Sequence, residues 1–191
     1  MLYGVSEIAG IISNFKKPTE VDNTNYSDIY QIRNKIWDSP QLIDDFLADS
    51  SSRSLSQAGR KIISDWRANF LKNDFIIMKY FTKYSVMMMN IAGDDFKLFG
   101  VTSITNPIKK IIPYPLPIYV ETVLLPFENK IIYDSFIAAP EMAFGPNFRS
   151  QFDIFYKAAK AKYGVIEKLG GESRPHAAER GSERQNRRPR G

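Results

Sequence analysis

The chain has 191 residues, a formal net charge of +5, no cysteine and one histidine. The missing thiols exclude disulfides, thiolate nucleophiles and Cys-ligated metals. Because that histidine is His176, residues 1–169 also lack the imidazole that a Ser-His-Asp or Cys-His arrangement, or a zinc site of the usual kind, requires.

Tyr3, Val5, Ile8, Ile11, Ile12 and Phe15 recur at helical spacing and predict a first helix, followed by a polar linker over residues 16–27. Ser27 caps a second helix with Ile29, Ile32, Ile36 and Trp37 on one face. Ser39 and Pro40 open a third that carries Leu42, Ile43, Phe46 and Leu47. The serine-rich stretch 49–56 breaks the chain. A fourth helix then puts Ile62, Ile63, Trp66, Phe70 and Leu71 on one side and ends near Asn73.

From Asp74 onward, runs of branched and aromatic residues predict strands: FIIMKYF (75–81), YSVMMMNI (84–91) and FKLFGVTSI (96–104). Ala92-Gly93-Asp94-Asp95 is a hairpin signal. Four prolines in NPIKKIIPYPLP (106–117) forbid a central strand there. IYVETVLLPF and KIIYDSFIAA flank a second hairpin at Glu128-Asn129, with Asn129 read as the residue that accepts left-handed geometry. A last helix over 149–163 lines up Phe148, Phe152, Phe155 and Ala159 and stops at Gly164. The expected fold is α+β: N-terminal helices, then a mostly antiparallel sheet of about five strands, with the fourth and C-terminal helices on one face. Residues 1–53 form a helical arm and 54–169 the α+β domain.

Residues 170–191 differ in kind. Six arginines against three glutamates carry +3 of the net charge, which leaves residues 1–169 at +2. Phe, Tyr, Met, Ile, Asn and Lys, all written with AT-rich codons, pervade the preceding chain, whereas here Asn186 alone represents them. This segment is read as a disordered, appended or out-of-frame tail and set aside. A basic arm that binds phosphates is the alternative, weakened by the interspersed glutamates.

No apolar run approaches the ~20 residues of a membrane span, and the N-terminal segment is a poor secretory signal because it lacks a basic start and carries Glu7. A cytoplasmic protein without a membrane partner is expected. No phosphate-loop or dinucleotide motif is present, and no cofactor is implied.

Three constellations carry chemistry. Glu121 and Asp134 fall on one face of the second hairpin as diagonal neighbours, if Val123 opposes Asp134 and Glu121 opposes Phe136; a raised pKa on one would make an acid and base, but a solvated face is the preferred reading. Asp94 and Asp95 suit a turn better than a hard cation. Lys109 and Lys110 with Tyr114, joined by Arg149, form a small basic and aromatic binding candidate. Met87, Met88 and Met89 are consecutive and read as core filling, with an adaptable contact surface as the alternative.

LPIYVETVLLPFENKIIYDSFI (116–137), with FGPNFR (144–149), YKAAKAKYG (156–164) and SDWRANFLKNDFIIMKYFTKYSV (64–86), resembles a pattern in bacterial proteins without an assigned activity, in which an LLPFxxKIIYD hairpin precedes a closing YxxAKxxxG helix. The resemblance covers about residues 54–169 and implies a domain boundary near Ser54, and no function. The expected function is therefore a non-enzymatic binding or regulatory domain that contacts another protein or a second copy through a sheet edge, the proline loop or the N-terminal helices. Nucleic-acid binding and a carboxylate or Mg²⁺-dependent enzyme are the alternatives.

Overall fold

A computed structural model describes residues 26–49, 53–140 and 144–170. The helix expected over residues 3–15, most of the linker after it and nearly all of the arginine-rich tail lie outside these. Three helices come first, α1 (Tyr26–Asp38), α2 (Gln41–Ala48) and α3 (Gln57–Asn69). Next come strands β1 (Leu71–Tyr80), β2 (Ser85–Ala92) and β3 (Asp95–Thr102), the short helix α4 (Ile108–Ile111), β4 (Ile118–Phe127) and β5 (Lys130–Tyr133). The long helix α5 (Pro146–Tyr163) and the two-residue strand β6 (Val165–Ile166) close the order.

The sheet is mixed and curls shut. β1 pairs antiparallel with β2 and β4, β2 with β3, and β4 with β5, while β3 and β5 join in parallel through Val101↔Ile131 and Thr102↔Ile132. The circuit β1-β2-β3-β5-β4 is thus a five-stranded barrel in which β4 returns beside β1 in Greek-key fashion. β6 lies parallel to β3 further along the same edge.

Alternation of side chains across the barrel wall produces three separate cores. Phe75, Ile77, Met87, Met89, Phe99, Val101, Val120, Leu124 and Ile131 fill the interior, and Ile108 and Ile112 of the α4 segment plug one end. Met78, Val86, Met88, Phe96 and Leu98 face outward under Tyr156 and Ala159 of α5. Val123, Leu125 and Ile132 face outward on the other side, under Ile32, Ile36, Trp37, Ile43, Phe46 and Ile63 of α1 to α3. The expectation that the fourth and C-terminal helices share one face is corrected: a closed barrel has no single outer face, and α3 and α5 cover different parts of its circumference. Residues 26–48, read from sequence as part of an arm, share a core with β4 and β5.

Several boundaries shift for identifiable reasons. Ser27 lies inside α1 rather than ahead of it. α3 ends at Asn69, not near Asn73, because Phe70 turns extended and packs in a tilted contact on Trp37 with ring centroids 5.1 Å apart, while Leu71 already pairs with Leu124. Ser56 caps α3 by accepting the Gly59 N–H at 3.1 Å. Both hairpins form as expected; in the first Gly93 has φ 53°, but in the second the left-handed residue is Glu128, φ 54°, and not Asn129. The three methionines alternate, Met87 and Met89 inward and Met88 outward.

Candidate cleft at the barrel end

Asp134 N–H still donates to Val123 O at 3.0 Å, but Ser135 then takes φ 71°, and pairing resumes with Glu121 opposite Ala138 instead of Phe136. The Asp134 side chain is turned under α1, where Arg33 Nε donates to Oδ2 at 2.6 Å and Trp37 Nε1 to the same oxygen at 2.9 Å. Arg33 NH1 also donates to Asn34, and the rings of Tyr30 and Phe136 each lie 5.9 Å from its guanidinium carbon. With its lone pairs taken by a guanidinium and an indole, this carboxylate is a structural partner and not a general base. Glu121 is half-buried on the outer wall near Tyr119, whose hydroxyl is pushed up first by its hydrogen bond to Asp74 and then by burial.

Asp95 is taken as well. Its Oδ2 accepts from Lys162 Nζ and Tyr163 OH, both at 2.8 Å, which tethers the end of α5 to the β2–β3 turn and holds the carboxyl below its ordinary value. Among the described residues no group of three or more His, Asp or Glu is placed to hold a metal ion.

A cleft of about 440 Å³ opens at the barrel end where β1 runs into β2 and β3 runs towards α4. One wall is Tyr80 to Ser85; the other is Val101 to Ser103, Thr105 and Pro107 to Lys109. The first wall is a tight connection: Phe81 N–H donates to Tyr84 O at 2.9 Å, and the two rings meet edge to face with centroids 5.7 Å apart. The second is shaped by Ser103 Oγ donating to Asn106 O, ahead of a helix whose Ile108 points into the barrel. Thr102 Oγ1, at 3.4 Å from Lys83 O, ties the walls together.

The lining mixes apolar and polar surface. Beside Phe81, Val101, Pro107 and Ile108, hydroxyls come from Thr82, Tyr84, Ser85, Thr102, Ser103 and Thr105 and ammonium groups from Lys83 and Lys109, and no Asp or Glu lines it. Tyr80 donates to Ile112 O, and burial raises its hydroxyl; Tyr84 is raised by burial first and by Glu167 second. Neither phenol is therefore poised as a base near neutral pH. The arrangement can hold an anion or a hydrogen-bonding ligand, and it lacks a nucleophile with an adjacent base.

Of the residues singled out from sequence, Lys109 lines this cleft, Lys110 follows it on the exposed side of α4, and Tyr114 is exposed in the loop beyond. Arg149 belongs elsewhere, on the first turn of α5, where its Nε donates to Phe144 O at 3.0 Å. Lys83, Phe81 and the hydroxyls were not legible as a site. The polar break Thr82-Lys83 between two strand runs was their only signal.

Comparison with protein families, with curated proteins and with solved structures yields no match for this chain. No helix among the described residues is long and apolar enough to cross a membrane.

Proposed function

We propose that the chain is a non-enzymatic binding domain that takes its ligand at the barrel end bounded by the β1–β2 connection and the β3–α4 segment. The observation that carries this reading is the carboxylate-free, lysine- and hydroxyl-lined cleft itself, about 440 Å³ in a size range typical of ligand sites. The rest of the barrel is consistent with it: the interior is filled, α1 to α3 and α5 cover parts of the outer wall, and closure pairs the strand edges that an added strand from another protein would need. The cysteine-free chain suits a reducing, cytoplasmic setting as part of the same proposal.

A second reading, a protein partner, is favoured by one observation. Phe81, Ile104, Ile111 and Tyr114 are all exposed around that end, and apolar side chains gathered at one place mark protein contacts.

Amide chemical-shift mapping of the full chain against a panel of mononucleotides, oligonucleotides, oligosaccharides and peptides tests the proposal. Perturbations confined to residues 80–85 and 101–109 are expected, with no turnover. Perturbations centred on α5 or α1, or consumption of a panel compound, would overturn it.

A further inference from the structure

We propose that the barrel-end cleft binds a single-stranded nucleic acid, with Lys83 and Lys109 on successive phosphates and Phe81 stacked on a base. The inference rests on the binding reading above and names its ligand.

Charge is the first ground. Lys83 and Lys109 come from opposite walls of the cleft, both are exposed, and no ion pair among the described residues engages either one. By contrast Lys61, Lys72 and Lys162 each have a carboxylate within 4 Å. Two unpaired ammonium groups separated by a cleft suit a ligand that repeats its negative charge along a chain, as a phosphodiester does. Lysine acts there as a mobile point charge that tolerates variation in phosphate position.

The aromatic is the second ground. Phe81 is 52% exposed on the cleft wall, yet its edge-to-face contact with Tyr84 sets its orientation. An oriented, open ring lining the same cleft as two cationic groups is the element on which a base stacks, and every base has a face to offer it. A duplex keeps its bases stacked on one another and leaves such a ring without a partner, so the strand is single. The hydroxyls of Thr82 and Thr105, exposed on opposite walls, can donate or accept and so meet sugar, phosphate or base edge alike.

These contacts are few, and the affinity is set accordingly. Each neutralised phosphate on a single strand contributes about 0.7 to the slope of log K against log salt. Any slope added by the arginine-rich tail is common to every variant, so differences between full-length variants isolate the cleft.

Fluorescence anisotropy with a labelled twelve-residue oligothymidylate, at several salt concentrations, provides the test. Lys83→Ala and Lys109→Ala are each expected to reduce the salt slope by about 0.7. Phe81→Ala is expected to weaken binding about tenfold at unchanged slope, because stacking releases no counterions. Phe81→Trp restores binding and reports stacking by quenching of its fluorescence, which separates a lost ring from a misfolded loop. Lys157→Ala on α5 leaves both quantities as they are. Thymidine monophosphate, with one phosphate, competes poorly, and a duplex of equal length binds no more tightly than the tail alone accounts for.

The inference is overturned if all three cleft variants bind like the parent, or if polyglutamate of equal charge competes as well as the oligonucleotide, which would assign the site to an acidic protein segment. If shift mapping places some other ligand in the cleft while the oligonucleotide is ignored, the ligand class fails and the binding domain stands. If no ligand perturbs the cleft at all, both fail.

Discussion

Arg33 and Asp134 meet 101 residues apart in sequence at an Nε–Oδ2 distance of 2.6 Å, with 3% and 5% of their side chains exposed. The pair joins the first described helix to the last residue of the second hairpin before its register slips. It is the polar centre of an otherwise apolar contact between α1 and β5. Removing one partner strands a buried charge, which costs about 3–5 kcal/mol, whereas replacing both with apolar groups is often close to neutral. Urea denaturation is therefore expected to find Arg33→Met and Asp134→Leu each destabilised on that scale, and the double variant closer to the parent than either.

Met87 and Met88 are both fully buried neighbours that belong to different cores. Truncating either to Ala is expected to cost about 2–5 kcal/mol. A double-mutant cycle separates them. Met88→Ala combined with Phe155→Ala on α5 should be non-additive, because both empty the space between helix and barrel. Met87→Ala combined with Phe155→Ala should add to within about 0.5 kcal/mol, since the barrel wall lies between them.

Gly100 sits on the outer wall where the chain after α5 passes over β3. A Cβ there would lie 3.2 Å from Tyr84 Cγ and 3.3 Å from Glu167 Cγ. Gly100→Val is expected to destabilise by about 1–3 kcal/mol through overcrowding. Gly100→Ala should cost less and displace Tyr84, with shift changes spreading into residues 81–84 of the cleft wall. A melting curve and an amide correlation spectrum read the two effects.

The tether of α5 to the β2–β3 turn is sensitive to pH in a defined direction. Asp95 has a folded pKa below its ordinary value, held there first by the Lys162 hydrogen bond and then by Tyr163. Its contribution is present above the ordinary carboxylate value of about 3.9 and is lost as pH falls through the folded value. Lys162 is raised, chiefly by the same bond, so its share persists below about 10.4 and is lost as pH rises through its folded value. Comparing melting midpoints of the parent and Asp95→Asn across pH should give a difference that is constant near neutrality and closes below about pH 4. A difference that persists at pH 2 would count against the ion pair as its cause.

Much of the local structure was legible because it depends on near neighbours. Ile32, Ile36 and Trp37 announce a buried helix face and Gly93 a turn, whereas the strand face of Val123, Leu125 and Asp134, read from sequence as solvated, is buried under the helices. The four residues of α4 and the two of β6 were not legible, being too short for any period to register and stable only by packing. The segment Phe70-Leu71 was misread for a related reason: apolar residues at helical spacing also suit a strand entry, and Trp37 and Leu124 decided between them.

By itself, then, the sequence determined the apolar faces of the described helices, where the hairpins close, and that residues 1–169 have neither thiol nor imidazole for catalysis. Tertiary structure alone decided that Val101 meets Ile131 and closes the barrel, that Met88 and Val123 face different helices, and that Lys83 and Lys109 look across one cleft. Periodicity records that a face is buried but not what buries it. The partner is chosen by long-range closure of strands, whose entropic cost is met only when all the contacts form together.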